Sequence, residues 1–472
     1  MKKLAAFVAA LLFITILMPV NTVSAEPTFN EPSIKAKSAI LIDANSGKVL
    51  FAKNENSKIY PASTTKIMTT ILAIENGNLD EQYICGREVS VFSKNCSLMG
   101  LKPKEKVTIR ELIYGMMLVS GNDAANAVAV AVDGSIDSFV ERMNQKAQEL
   151  GMENTNFVNA HGMQKDDHYS TAADMAKLAQ YAMKNEEFRK FVATKSHTIA
   201  STNKSAAREL INTNKLISLD PADNKYHYAY AIGIKTGLTP TAGGCLVAAA
   251  RHDGMELIAC IYGDTSADGV KRWGMAKNMF DYGYNYYASV DLTQILSQIK
   301  IQERIPNAPN SDIGSGVLDF VPQFEGNVMY TDTKENIAQL TASPDSITAI
   351  KAFDKELVAP IKKDERMGTV TYKLGNQLIL MAPLLASRDV LDADSAPGSP
   401  SSAPASPGDP GYIEAKTKKD TSIVAIVIIC VVFLVGLILL INYLVKRSKK
   451  NGQLKRRVPN NKKAYYNYRR RF

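Results

Sequence analysis

The sequence predicts an α/β domain, then a small β-rich domain, then one C-terminal membrane-spanning helix. Three observations carry this. Apolar hairpin patterns sit at both ends of a helical middle, the arrangement of one sheet closed by late strands. From about residue 290 the helical patterns give way to short alternating apolar runs. Ile423 to Val445 is a run of 23 residues without a charge, long enough to cross a hydrocarbon core of about 30 Å at about 1.5 Å per residue.

In chain order, Ser38–Asp43 and Lys48–Ala52 are short apolar strands joined by Ala44-Asn45-Ser46-Gly47, strong turn chemistry. Pro61 then pre-sets the φ of a first helical turn, and Ile67, Ile71 and Ile74 continue an apolar helical face. Ile109–Val119 and Ala124–Val132 read as helices broken at Ser120-Gly121-Asn122. A helix over Ile136–Leu150 ends at Gly151 in the C-cap position, and one over Thr171–Asn185 has Thr171 as N-cap. Gly244–Ala250 and Met255–Tyr262 form the second hairpin, and a last helix covers about Val270–Tyr287. Gly316–Val321, Ile347–Phe353, Val370–Tyr372 and Leu378–Met381 are the strands of the β-rich part. Residues 392–411, mostly Ser, Ala, Pro, Gly and Asp, read as a spacer.

Charge and leader place the chain at a membrane. Lys2-Lys3, the apolar Leu4–Val20 and the small residues Val23-Ser24-Ala25 have the form of an export signal. The formal charge of +9 is local: residues 446–472 hold twelve Lys/Arg and no acid, leaving 44 basic against 47 acidic residues elsewhere. The high pI is therefore no sign of nucleic-acid binding. The basic tail after the span predicts a cytoplasmic C-terminus with the bulk of the chain outside. Four of the five cysteines lie outside the span. Cys245 and Cys260 face each other if the hairpin loop is His252-Asp253, and miss by two positions if it is Asp253-Gly254. A Cys85–Cys96 disulfide is equally open. No Cys/His cluster has metal-ligand spacing, so no metal or cofactor is expected.

The chemistry concentrates in three short motifs. Ser63 and Lys66 lie i, i+3 at the start of a helix, where they share a face and a proton. A desolvated lysine is one way to activate a serine nucleophile. The spacing alone is weak, since Ser201/Lys204 and Ser297/Lys300 repeat it. Ser120-Gly121-Asn122 offers a proton relay and an amide for a peptide substrate. As a pattern it recurs at Ser93-Lys-Asn95 and Ser201-Thr-Asn203, and a turn that caps the next helix explains it equally. Lys235-Thr236-Gly237 occurs once. It presents a charge and a hydroxyl to a carboxylate, on a strand whose glycine permits close approach.

In this order the three are the signature of class A β-lactamases and penicillin-binding proteins. Over about 27–390 the sequence resembles the low-molecular-mass penicillin-binding proteins, the serine-type D-alanyl-D-alanine carboxypeptidases. Further stretches that carry the resemblance are Phe157–Gly162, His168–Asp174, Asn212–Leu216 and Gly233–Thr239. The Ser-Gly-Asn form, the β-rich domain after 290 and the lack of a Glu-x-x-x-Asn element between the second and third motifs favour the carboxypeptidases.

The resemblance implies a β-lactamase/transpeptidase-like fold, an antiparallel sheet flanked by helices plus a helical subdomain. Taken with the leader, spacer, span and tail read from the residues above, the chain divides into a signal peptide (1–25), a serine D,D-peptidase domain (26–288), a β-rich domain (289–391), a linker (392–420), a transmembrane helix (421–445) and a basic tail (446–472). The resemblance also implies a peptidoglycan stem peptide ending in D-Ala-D-Ala as substrate, and β-lactams as acylating ligands. Ser63 would be the nucleophile, Lys66 the base and Ser120 the relay. Asn122, Lys235, Thr236 and Gly237 would bind substrate, and the Leu238 N–H would help form the oxyanion hole. His161 and His168 are expected to be structural, because a Ser/Lys site needs no imidazole. The chain departs from the family in its anchor, a spanning segment with a basic tail where an amphipathic helix is common.

Overall fold

Two apolar cores cover opposite faces of one sheet, and a third fills a separate β-rich unit. The computed structural model describes residues 30–93, 96–309 and 312–391. The signal, linker, membrane span and basic tail read from the sequence lie outside the described residues. Among those that are described, no helix is long and apolar enough to cross a membrane.

The chain begins with β1 (Ser38–Asp43) and β2 (Val49–Lys53). A 3-10 turn over Ala62–Thr65 leads into α1 (Lys66–Asn76). The ribbon β3 (Gln82–Ile84) and β4 (Lys106–Thr108) precedes α2 (Ile109–Leu118), α3 (Asn122–Asp133), α4 (Ile136–Glu149), α5 (Ala172–Met183) and α6 (Glu186–Ala193). A second ribbon, β5 (Ser196–Ile199) and β6 (Arg208–Ile211), follows. The chain then returns to the sheet as β7 (Ala231–Thr239), β8 (Gly243–His252) and β9 (Met255–Asp264), and leaves it through α7 (Arg272–Tyr286).

The five strands pair antiparallel in the order β2-β1-β9-β8-β7. Side chains alternate between faces. Ile40, Ile42, Val247, Ala249 and Ile258 therefore join the helical core of α1–α6, while Ala39, Leu41, Leu246, Ala248 and Leu257 meet Trp273, Met279 and Phe280 of α7. Because both faces are covered, these strands read as unbroken apolar runs. Local signals set the helix ends. Thr108 and Glu111 form a reciprocal capping box on α2, Thr171 caps α5, and Gly151 follows α4 at φ 65°. The β8–β9 loop is Asp253-Gly254, with φ of 47° and 78°, the left-handed pair of a two-residue hairpin turn. Cys260 consequently sits opposite Val247 and misses Cys245; all four described cysteines are free.

The β-rich unit opens with β10 (Tyr287–Asp291), α8 (Thr293–Gln298), β11 (Gln302–Arg304) and β12 (Val317–Pro322). It continues through β13 (Met329–Thr333), α9 (Lys334–Ala342), β14 (Ile347–Phe353), β15 (Arg366–Leu374) and β16 (Gln377–Ala386). Its sheet runs β11-β12-β16-β15-β14 over Leu318, Phe320, Val370, Tyr372 and Leu384. β10 pairs with β13 as a separate ribbon. The Ser289 hydroxyl donates to the buried Asp43 carboxylate at 3.0 Å, tying the ribbon to the end of β1.

Candidate active site

Ser63 stands on a bent connection. The sequence places it at a helix start, and the structure refines this: Ala62–Thr65 form a 3-10 turn, and α1 begins only at Lys66. In a 3-10 turn i and i+3 eclipse, which aligns Ser63 and Lys66 more directly than an α-turn would. Ala62 holds φ at 48°, a left-handed geometry costly for a residue with a Cβ. Its surroundings impose that geometry. A Cβ on Gly162 would lie 1.8 Å from the Ala62 carbonyl oxygen, so only glycine fits against the bend. The Thr64 hydroxyl donates to the Pro61 carbonyl at 2.6 Å and lies 3.1 Å from the Tyr262 hydroxyl, fixing the turn to β9. The Thr65 hydroxyl meets His168 Nε2 at 2.8 Å.

Lys66 is buried, and its Nζ touches three oxygens: Ser63 Oγ at 3.1 Å, Asn122 Oδ1 at 2.8 Å and the His161 carbonyl at 2.7 Å. Burial pulls its pKa well below the ordinary lysine value and the Lys235 charge lowers it further, with Asp123 and Cys96 opposing. A neutral amine has two N–H donors and one lone pair. The Asn122 and His161 oxygens only accept, so they take the two donors and leave the lone pair to the Ser63 hydroxyl.

The facing wall starts at Ser120, buried and at φ 62°, between α2 and α3. Asn122 is the first residue of α3 rather than its cap, which is Gly121. The next residue, Asp123, does the fixing. Its carboxylate accepts from the backbone N–H of Met99, Gly100 and Leu101 at 2.8–2.9 Å and from Ala124, clamping the preceding loop to the helix. The Ser120 hydroxyl makes no hydrogen bond to Ser63 or Lys66 among the described residues.

β7 closes the site. It is an edge strand, so one row of its backbone groups is open to an extended ligand. Lys235 is 1% exposed and, among the described residues, Nζ reaches only the Thr236 carbonyl at 3.4 Å; burial pulls its pKa down to about 7. The Thr236 hydroxyl lies 2.9 Å from the hydroxyl of Thr213. A Cβ on Gly237 would come within 3.1 Å of both the Ser63 nitrogen and the Ala62 Cβ, so the glycine is what lets β7 reach the nucleophile turn. Leu238, half-exposed, follows.

The structure thus brings Ser63, Lys66 and Asn122 into one hydrogen-bonded cluster, and sets Gly237 against the nucleophile turn. Both histidines sit beside the cluster. Burial holds His161 down to about 3 and His168 to about 4, so both rings are neutral at physiological pH. His168 Nδ1 accepts from the Val158 N–H, leaving Nε2–H to donate to Thr65. Sequence reasoning assigned no role to the His161 carbonyl, Asp123, Thr213 or Gly162. A backbone carbonyl leaves no trace in a sequence, and Thr213 becomes visible only once the segment after β6 is folded against the Thr236 side chain.

Residues 24–266 match the family model described as D-alanyl-D-alanine carboxypeptidase, and residues 328–391 match that of the penicillin-binding protein 5 C-terminal domain. The chain belongs to the serine-type D-alanyl-D-alanine carboxypeptidase family, the low-molecular-mass penicillin-binding proteins. It is 32% identical to D-alanyl-D-alanine carboxypeptidase DacF of Bacillus subtilis, over 77% of this chain and 88% of that one. DacA of Escherichia coli is also 32% identical, over 76% and 84%. Among solved structures, penicillin-binding protein 5 of Haemophilus influenzae superposes with a TM-score of 0.63 at 28% identity, over 77% of this chain and all of that one. The transpeptidase-like α/β fold with a small β-rich C-terminal unit is shared with it.

Proposed function

We propose that this chain removes the terminal D-alanine from peptidoglycan stem peptides ending in D-Ala-D-Ala, through an acyl-enzyme on Ser63. The observation that carries the reading is the Lys66 amine, desolvated and with both donors engaged, hydrogen-bonded to Ser63 Oγ. The relatives named D-alanyl-D-alanine carboxypeptidases supply the substrate class.

Lys235 and the Thr236 hydroxyl hold the substrate's terminal carboxylate. Ser63 Oγ attacks the penultimate carbonyl carbon as its proton passes to Lys66 Nζ. The backbone N–H groups of Ser63 and Leu238 receive the developing oxyanion. The C–N bond then breaks, the proton returns through Ser120 to the departing amine, and D-alanine leaves. Asn122 orients the peptide while its Oδ1 holds Lys66. Water, deprotonated by Lys66, hydrolyses the ester. A β-lactam acylates the same serine, and the resulting ester clears slowly.

The same reading places a serine peptidase domain over 26–288 and the β-rich domain over 289–391. It makes 1–25 a signal peptide, 392–420 a linker, 421–445 a single transmembrane helix and 446–472 a cytoplasmic tail. The catalytic part would then work outside the cytoplasmic membrane.

The test is to incubate the full chain in detergent micelles with a D-Ala-D-Ala-ended peptide, beside Ser63→Ala. Wild type should release D-alanine and bind a fluorescent penicillin covalently, and the variant should lose both by about 10³-fold or more. Release by the variant at the wild-type rate would sink the assignment. Penicillin labelling of wild type without D-alanine release would point to a β-lactam receptor.

A further inference from the structure

A second pocket, of about 350 Å³, opens at the end of the sheet where β7 begins. Its walls come from the segment before β7, the β8–β9 turn and the end of α7, and the first residues of β10 and α9 close it from the β-rich unit. Tyr230, one residue before β7, accepts from the Arg251 N–H and extends the strand pairing to the pocket. It is 40% exposed, and its ring stacks on His252 with centroids 3.9 Å apart. Tyr284 meets the same imidazole edge-on at 5.4 Å. Around these rings stand polar groups with unused capacity. Asn285 and Lys334 are exposed, and neither side chain makes a hydrogen bond or ion pair among the described residues. Asp281 accepts the Tyr228 hydroxyl at Oδ1, 2.8 Å away, and its second oxygen has no described partner. Asp253 lies 3.2 Å from His252 Nε2. The Tyr284 hydroxyl is buried with no hydrogen bond among the described residues, an unmet donor in the pocket wall.

This lining discriminates among ligand classes. Two carboxylates against one ammonium do not suit an anion, and the ammonium beside them does not suit a cation. Aromatic rings bordered by an amide, carboxylates and an ammonium suit a neutral ring with apolar C–H faces and donors and acceptors at its edge. A pyranose has these surfaces, and an acetamido group on it offers the Asn285 amide a matching partner. The volume is that of a small-ligand site, at the lower end of a usual range of about 300–1,000 Å³.

We infer that this pocket binds an N-acetylated sugar ring of a peptidoglycan glycan strand, stacked on Tyr230 and hydrogen-bonded by Asn285 and Lys334. The choice of polymer rests on the proposed function, and so does the strand that fills the pocket. The peptide carboxylate lies at Lys235 and Thr236 and the scissile carbonyl by Leu238, so the rest of the stem leads toward Thr239. Tyr230 lies the other way, about 16 Å from Lys235 at about 3.3 Å per residue of strand. The sugar that bears the peptide being cut is therefore carried away from the pocket, and the ring bound there belongs to another segment of the polymer. Such a contact holds the enzyme on the wall while the cleft works on a neighbouring peptide.

The experiment takes two readouts from the full chain in detergent micelles. Calorimetry measures binding of tetra-N-acetylglucosamine, beside maltotetraose, which lacks the acetamido groups. D-alanine release is followed from a soluble D-Ala-D-Ala-ended peptide and from insoluble peptidoglycan carrying the same stem. Wild type should bind the acetylated tetramer and bind maltotetraose more weakly. Tyr230→Ala should weaken tetramer binding about tenfold. Asn285→Ala, which removes no hydrogen bond of the fold, should weaken it about 3–10-fold. Both variants should cut the soluble peptide at the wild-type rate and the insoluble polymer several-fold more slowly. No tetramer binding by wild type, equal binding of the two tetramers, affinity unchanged in both variants, or an equal loss on soluble peptide and polymer would overturn the inference. Absence of D-alanine release by wild type from either substrate would instead overturn the proposed function, and the calorimetry would still decide the pocket.

Discussion

The two lysines of the cleft have the same burial and opposite surroundings. Lys66 is 0% and Lys235 1% exposed. Lys66 spends its nitrogen on three oxygens supplied by the 3-10 turn, α3 and the 157–163 loop. Among the described residues Lys235 Nζ has one long hydrogen bond, to its own neighbour's carbonyl. Both pKa values fall because water is excluded, but the consequences differ. The Lys66 environment satisfies a neutral amine, the state a base needs before it takes a proton. The Lys235 environment satisfies neither state, which leaves the ammonium dependent on an anion brought from outside. A site that needs one lysine as a base and another as an anion receptor obtains both by varying the hydrogen-bond partners.

The sharpest break of this contrast is Lys66→Met. Methionine fills similar volume but cannot take the Ser63 proton, so kcat should fall about 10³-fold or more while KM changes little. Penicillin acylation should fall in parallel. A large rise in KM with kcat preserved would mean that Lys66 serves binding, and the two lysines would not differ in kind.

Lys235→Met should show the converse, a rise in KM of roughly 10–100-fold for a carboxylate substrate. It should also stabilise the fold. The folded pKa of Lys235 is about 7 against an ordinary value of 10.5. The unfolded chain therefore binds the extra proton between pH 7 and 10.5, and stability rises with pH across that window. Near neutrality the buried lysine costs on the order of 4 kcal/mol, which methionine recovers. The stability gained between pH 7 and pH 10 should be smaller in the variant than in wild type, the remainder coming from the likewise depressed Lys66. In kinetics, Lys235 loses its proton above about pH 7 in the free enzyme, so the affinity for carboxylate substrates should decline there, and that decline should vanish in Lys235→Met. Equal stability of the two proteins at pH 7 would show that the lysine is better accommodated than its contacts imply.

Much of this contrast was legible in the sequence, but not all of it. Ser63, Lys66 and the single Lys235-Thr236-Gly237 stand in an order that short-range chemistry makes recognisable, and the hairpins around Ala44–Gly47 and Asp253-Gly254 follow from turn residues. The missed pieces are those whose signal is not local. β3 to β6 are strands of three or four residues, too short for a period to register. α6 follows α5 after only two residues, and the helix read over Thr171–Asn185 stops short of it, so that α6 goes unread. The 3-10 turn at Ser63 depends on Gly162, about a hundred residues away, and the asymmetry of the two lysines depends on a backbone carbonyl. The register of Cys245 and Cys260 turned on which two residues make the loop, and only the left-handed φ at Asp253 and Gly254 decides it.

The gentlest test falls on the hydroxyl pair at the strand. Thr213 contacts Thr236 at 2.9 Å, and its N–H donates to the Leu118 carbonyl at the end of α2, just before Ser120. It joins the two walls without touching Ser63. If the Thr213 hydroxyl donates to Thr236 Oγ1, the Thr236 hydrogen is turned away and aimed into the cleft at the substrate carboxylate. Thr213→Val removes that orientation at nearly constant volume. One neutral hydrogen bond is worth about 0.5–1.5 kcal/mol, so KM should rise roughly 3–10-fold with kcat nearly constant. Thr213→Ser should restore it, because the hydroxyl and not the methyl does the orienting. A fall in kcat with unchanged KM would shift Thr213 to the Lys66 side of the comparison, as a brace for the Ser120 turn instead of an orienter of the carboxylate site.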